Sequence, residues 1–179
     1  MAMSVDFSLD YFSLFGLPCR FRLDETVLDR AWHTLQTEAH PDRHAHLPKS
    51  GQRNAMQGAL RINEAYTALK KPITRAKYLL ELAGMGPDVI NGNTVAPECL
   101  FEQLEWREAV EEAREVNDID ALEQLALRLQ VQIDRAVMQL AGQLDDQRDL
   151  EAAADTVRRL MFLDKLRLGI DNALAALDD

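Results

Sequence analysis

Apolar residues recur at helical spacing along most of this chain, and one short tripeptide punctuates the pattern. Between Asp24 and Ala39 they fall at Val27, Leu28, Ala31, Trp32 and Leu35, which places them on one face of a helix. Pro41 stops that run, because its ring fixes φ, it lacks an N–H, and it forces the preceding residue out of the α region. His40 is therefore expected as the last or next-to-last helical residue. A polar loop, Arg43 to Gln52, leads to a second run from Arg53 to Leu69. There Met56, Ala59, Ile62, Tyr66 and Leu69 share a face and can pack antiparallel on the first helix. His40-Pro41-Asp42 thus sits at the exposed tip of a helical hairpin.

The flanks extend the pattern in both directions. Upstream, LDYFSLFGL over 9–17 is a short aromatic-rich helix ended by Gly16 and Pro18, too short to stand alone. Asp24 suits the N-cap of the next helix, with Glu25 at the positive end of its dipole. Pro72 to Leu82 carries Ala76, Leu79, Leu80 and Leu82 behind a first-turn proline. The stretch GMGPDVINGNTVA, 84–96, keeps no period and reads as a linker. Beyond it, Pro97 opens a long helix to about Asn117, where Asn117, Asp118 and Asp120 supply turn and cap chemistry. Leu122, Leu125, Leu129, Ile133, Ala136 and Leu140 form the next stripe, and Gly142 to Asp146 breaks it. The last helix, from about Asp149 to Leu177, carries Leu150, Val157, Leu160, Leu163, Ile170, Leu174 and Leu177. The expected fold is all-α: a helical domain over 1–84, a linker over 85–96, and an antiparallel three-helix bundle over 97–179.

Charge separates the same halves. Residues 1–84 hold 11 Lys+Arg and 9 Asp+Glu, residues 85–179 hold 9 and 21, so a net +2 half precedes a net −12 half. So acidic a second half argues against nucleic acid as partner, since phosphate contacts need a cationic surface. No apolar run reaches membrane-span length, and Met1 to Asp10 carries acids without Lys or Arg, unlike a secretory signal or transit peptide. Cys19 and Cys99 lie far apart with no second thiol near either, which suits a reducing compartment. The expectation is a bacterial cytoplasmic monomer without cofactor, metal, membrane or nucleic-acid partner.

His-Pro-Asp by itself is a weak signal with three readings. His40, Asp42, His44 and His46 offer imidazole and carboxylate ligands in one loop, although their spacing matches no established metal motif. A polar turn with solvated histidines is the plainest reading. The third comes from the flanks: LDYFSLFGLP, an amphipathic helix ending in HPD, a polar loop and INEAYTALK at 62–70 together resemble a J-domain. The resemblance implies docking to a DnaK-type chaperone and stimulation of its ATP hydrolysis through His40, Pro41 and Asp42, with Arg43 and Arg30 as cationic neighbours. One departure stands out. J-domain second helices are usually basic, whereas this one has Asp24, Glu25, Asp29 and Glu38 against Arg30, with Arg20, Arg22 and Arg43 flanking it.

The second half narrows the resemblance. LFEQLEWREAVEEA at 100–113 and AAADTVRRLMFLDKLR at 152–167, with DYFSLFGLP and TRAKYLLELAG, are similar to the HscB-type co-chaperones of iron–sulfur cluster assembly, over essentially the whole chain. That family implies an HscA-type chaperone partner and delivery of the scaffold protein IscU, with no active site of the co-chaperone's own. At 100° per residue, Cys99, Trp106, Val110 and Ala113 cluster on one side of their helix, while Leu100, Phe101 and Leu104 fall near the opposite side. Either the second group is an exposed client-binding patch, or it covers another part of the protein. The family's client surface matches Leu100, Phe101, Leu104 and Phe162, with Glu105, Arg107 and Glu108 as polar neighbours. Trp106, Leu125, Leu129, Leu160 and Leu163 are expected in the core, as are Phe12, Trp32 and Tyr66 in the first domain. The acidic run Glu108, Glu111, Glu112 and Glu115 is expected to be a solvated face.

Overall fold

The computed structural model describes residues 6, 8–44, 46, 48–92 and 97–177, without the side chains of residues 41, 44 and 97–99. Among these residues every regular element is helical. Backbone packing separates two units, Met1–Leu79 and Leu80–Asp179.

The first unit is built from α1 (Tyr11–Leu14), α2 (Glu25–Glu38), α3 (Lys49–Lys70) and most of α4 (Pro72–Leu82). Helix α1 is shorter than its aromatic run, and its ends explain why. The Asp10 carboxylate accepts from the Ser13 N–H at 3.0 Å, while Gly16 takes a left-handed φ of 65°. That turn lets Leu17 N–H donate to Phe12 O (2.9 Å) and Gly16 N–H to Ser13 O (3.1 Å), closing a Schellman motif. Phe12 and Phe15 are thereby held in a core with Leu28 of α2 and Ile62, Ala65 and Leu69 of α3. Asp24 caps α2 as expected, accepting from the N–H groups of Thr26 (2.9 Å) and Val27 (3.3 Å).

Three expectations for this unit are corrected. Helix α2 ends at Glu38 and Ala39 caps it, so His40 lies outside the helix; the pre-proline restriction falls on His40 itself and excludes it from the last turn. The loop Arg43 to Gln52 is not wholly irregular, because Pro41–His44 form a 3-10 helix and α3 already begins at Lys49. The Pro48 carbonyl accepts from Gln52 N–H at 3.0 Å, and the exposed turn Lys49–Gln52 carries no apolar residue to reveal its period. Met56 is exposed, as is Val27, because the buried face of α3 runs through Gly58, Ile62, Ala65 and Leu69 and that of α2 centres on Leu28.

The second unit holds α5 (Pro87–Asn91), α6 (Pro97–Glu115), α7 (Ile119–Ala141) and α8 (Leu150–Leu177), the last three as an antiparallel three-helix bundle. Its core joins Trp106, Val110 and Ala113 of α6 to Leu122, Leu125 and Leu129 of α7 and Leu163, Ile170 and Ala173 of α8. Each fully buried leucine here stabilises the fold by roughly 1.5–3 kcal/mol. Between α6 and α7 the chain turns on Asn117 at φ 53°, and Asp118 N–H donates to Ala113 O at 2.9 Å, the Schellman contact again. Asp118 then caps α7 by accepting from Ala121 N–H at 2.9 Å.

Two stretches of this unit differ from their sequence reading. Gly142 to Asp146 does not break the helical path; residues Gly142–Gln147 continue α7 as a π-helix, and the turn falls at Arg148, with φ 56°. Glycine and aspartate weaken helical propensity without forbidding helical backbone. The stretch 85–96, expected as linker, contains α5, whose Ile90 is fully buried and whose Val89 carbonyl accepts from Arg158 of α8. Residues 93–96 lie outside the described residues.

Candidate functional site

The tip of the α2–α3 hairpin is locally fixed and open to solvent. Pro41 begins the 3-10 helix at a position whose N–H has no intrahelical acceptor, so its missing donor costs nothing there. Arg43 N–H donates to His40 O at 3.0 Å, and Asp42 N–H donates to His40 Nδ1 at 3.3 Å. The second bond needs an unprotonated Nδ1, which leaves the ring proton on Nε2 as a donor. A 3.7 Å approach of Asp42 Oδ2 to the same Nδ1 would instead need a protonated ring. The backbone bond is the shorter of the two and meets hydrogen-bond geometry. His40 and Asp42 side chains are 58 % and 91 % exposed, so both are available to a partner. Beside them a shallow groove is lined by Gln36, Thr37, His40, Arg43, Ala59 and Asn63.

Two of the acids of α2 are paired with cations of α3 and α4. Asp29 accepts from Lys70 Nζ at 2.8 Å and from the Tyr66 hydroxyl at 3.0 Å, while Glu25 meets Lys70 at 3.4 Å and the buried Arg75 at 3.4 Å. Hydrogen bonds from Lys70 and Tyr66 hold the Asp29 carboxyl below the ordinary carboxylate range, and the same bond holds the Lys70 ammonium up. Arg75 also donates to the carbonyls of Leu69 (2.7 Å) and Phe21 (3.0 Å), locking α4 to the chain ahead of α2. Between Arg30 and Thr37 the exposed residues are Arg30, His33, Thr34 and Thr37, and Arg43 continues that cationic character into the loop. The pairing that neutralises Asp29 and Glu25 crosses from helix to helix, so a count along α2 could not register it.

In the second unit, α6 presents Leu100, Phe101 and Leu104 to solvent at 53 %, 70 % and 48 % exposure. Glu105, Arg107 and Glu108 are exposed around them. Phe162 of α8 is only half-buried, at the margin of the core cluster. The opposite side of α6 is buried at Trp106, Val110 and Ala113, while the Cys99 side chain lies outside the described residues. Glu102 ties the two helices together: Arg159 Nη2 donates to Glu102 Oε1 at 2.8 Å and to Gln132 Oε1 of α7 at 2.9 Å. Phe162 sits one turn beyond Arg159, and Leu100, Phe101 and Leu104 surround Glu102 in sequence. The acidic run Glu108, Glu111, Glu112 and Glu115 is exposed, as expected.

No group of three His, Cys, Asp or Glu side chains among the described residues is placed to hold a metal ion, and the side chain of His44 is not among them. No described helix is long and apolar enough to cross a membrane.

Comparison with known proteins brings both halves together. A family model described as the HSCB C-terminal oligomerisation domain matches residues 95–171. A co-chaperone protein HscB homolog from Azoarcus sp. (strain BH72) is 54% identical over 177 residues, covering 99% of this chain and 100% of that one. The homolog from Aromatoleum aromaticum is 47% identical over 98% of this chain and 99% of its own. Among solved structures, chaperone HscB from Vibrio cholerae superposes with a TM-score of 0.85 at 36% identity, covering 94% of this chain and 99% of that one. Human co-chaperone protein HscB gives 0.87 at 23% identity over 93% of this chain and 83% of its own, a likeness of fold.

Proposed function

The chain belongs to the HscB family of co-chaperones, and from that premise we propose that it stimulates ATP hydrolysis by an HscA/DnaK-type chaperone while delivering an IscU-type scaffold to it during iron–sulfur cluster assembly. The observation that carries this reading is the presence, in one chain, of two exposed and chemically distinct surfaces: the His40–Asp42 tip and the Leu100–Phe101–Leu104 patch.

At the tip, the Asp42 carboxylate can accept from a cationic or amide donor of the chaperone, and His40 Nε2–H supplies a second directed hydrogen bond. The 3-10 helix and the His40 Nδ1 contact reduce the freedom lost on docking. Arg30 and Arg43 flank that contact and suit an acidic partner surface. At the patch, the apolar side chains bury against the scaffold and Glu105, Arg107 and Glu108 form a polar rim. Holding both partners on one chain raises the scaffold's effective concentration at the chaperone, and the ATPase step is biased by differential binding of its two states. The co-chaperone performs no bond-making chemistry in this scheme, requires no cofactor, and works as a monomer in the bacterial cytoplasm.

The test is a steady-state ATPase assay with purified HscA-type chaperone, with and without apo scaffold. His40→Gln is expected to reduce stimulation at least about tenfold while leaving scaffold binding and the melting temperature unchanged. Stimulation that survives the substitution would remove the tip from the mechanism. The family model's description names oligomerisation, so a second reading has the bundle bind another copy of the chain. Sedimentation of the free protein across concentrations separates the two, a dimer at micromolar concentration favouring self-association.

A further inference from the structure

We infer that the Glu102–Arg159 ion pair is a rotational lock for α6, and that it keeps Leu100, Phe101 and Leu104 turned outward; this rests on the reading of those residues as the client patch. Helix α6 could bury either of two apolar sides. One carries Trp106, Val110 and Ala113, the other Leu100, Phe101 and Leu104, so hydrophobicity alone leaves its rotation poorly specified over the first two turns. Glu102 lies one helical turn before Trp106 on the same face, where an ordinary core stripe would place an apolar residue. Among the described residues 100–105 none is buried, and only Glu102 hydrogen-bonds to another helix.

Arg159 answers Glu102 from α8 and uses the same nitrogen to reach Gln132 of α7, so all three helices of the bundle meet at one point. A half-buried polar group that finds a partner in only one register favours that register over its rivals, as a single polar residue does in a coiled-coil seam. The geometry is not arranged for maximal stability. Arg159 Nε is buried without a hydrogen-bond partner, so one donor of the guanidinium is forfeited. Turning α6 so that Phe101 or Leu104 faced inward would break the Glu102 contact and bury the patch. Glu102 and Arg159 are accordingly positioning residues: they act on the client through the orientation of α6.

The experiment measures affinity for apo IscU-type scaffold by calorimetry, with Trp106 emission in a Trp32→Phe background reporting the rotation of α6. Glu102→Leu and Arg159→Met are expected to weaken binding at least about tenfold, ~1.4 kcal/mol at 25 °C, with helical content retained and Trp106 emission shifted. The exchanged pair, Glu102→Arg with Arg159→Glu, should recover most of the affinity, since Gln132 can flip its amide to donate. Wild-type affinity in either single variant would overturn the lock, as would an unshifted Trp106 emission. The triple variant Leu100→Ala, Phe101→Ala, Leu104→Ala separates the two layers. If it binds poorly while the single variants bind normally, the lock fails and the patch stands. If it binds normally, the patch reading fails and the lock with it.

Discussion

Lys70 Nζ lies 2.8 Å from Asp29 Oδ1, and this contact between α3 and α2 pairs a carboxylate of the helix that carries the candidate chaperone-docking face. The Tyr66 hydroxyl donates to the same oxygen at 3.0 Å, and its ring stacks on Trp32 with centroids 4.6 Å apart. The poorly basic appearance of α2 is therefore a property of its sequence more than of its surface.

The clasp has a pH signature. Asp29 is held below the ordinary carboxylate range, so its contribution is complete above the unfolded value of about 4 and is lost as pH falls through the lower folded value. Lys70 is raised by Asp29 and Tyr66 is raised by burial and then by Asp29, so both contributions persist below their unfolded values near about 10 and vanish as pH rises through the folded ones. The melting-temperature gap between wild type and Asp29→Asn should be widest at neutral pH and close at both extremes. Parallel curves from pH 3 to 11 would contradict this.

Patch and core leucines should separate thermodynamically. Leu129 is fully buried in the bundle, so Leu129→Ala is expected to cost about 2–5 kcal/mol in chemical denaturation. Phe101→Ala and Leu104→Ala should stay within about 0.5 kcal/mol while scaffold affinity drops. A large stability loss in the latter pair would place them in the core instead.

Association with the chaperone should respond to salt through Arg30 and Arg43, the cations of the outer α2 face and tip. Stopped-flow on-rates are expected to fall several-fold between about 50 and 200 mM salt. In Arg30→Ala that slope should flatten, with the melting temperature unmoved. An on-rate indifferent to salt in the wild type would show that the acidic helix termini cancel the face.

The left-handed turns offer a test free of packing effects. A Cβ at Gly16 would meet nothing within 4 Å, so Gly16→Ala should cost only the backbone penalty of φ 65°, roughly 1–2 kcal/mol. Asn117, at φ 53°, should tolerate glycine and gain a few tenths to about 1 kcal/mol. Thermal melts that reversed these signs would mean the turns relax on substitution.

By itself the sequence determined the long helices, the caps at Asp24 and Asp118 and the family resemblance. Asp24 and Asp118 cap where their side chains can reach free N–H groups of the next turn, and the stripe from Leu122 to Leu140 needs only helical periodicity to be seen. His40-Pro41-Asp42 and its flanks were legible because they depend on neighbours close in the chain. The helical phase of Trp106 against Leu100 and Phe101 was equally legible, but which side the protein buries was not. That choice, like the neutralisation of Asp29 by Lys70 and the exposure of Met56, depends on residues that meet only after folding. Periodicity reports a helix's own faces, while burial and charge pairing are properties of two or more helices together. Only the tertiary structure could supply the second partner.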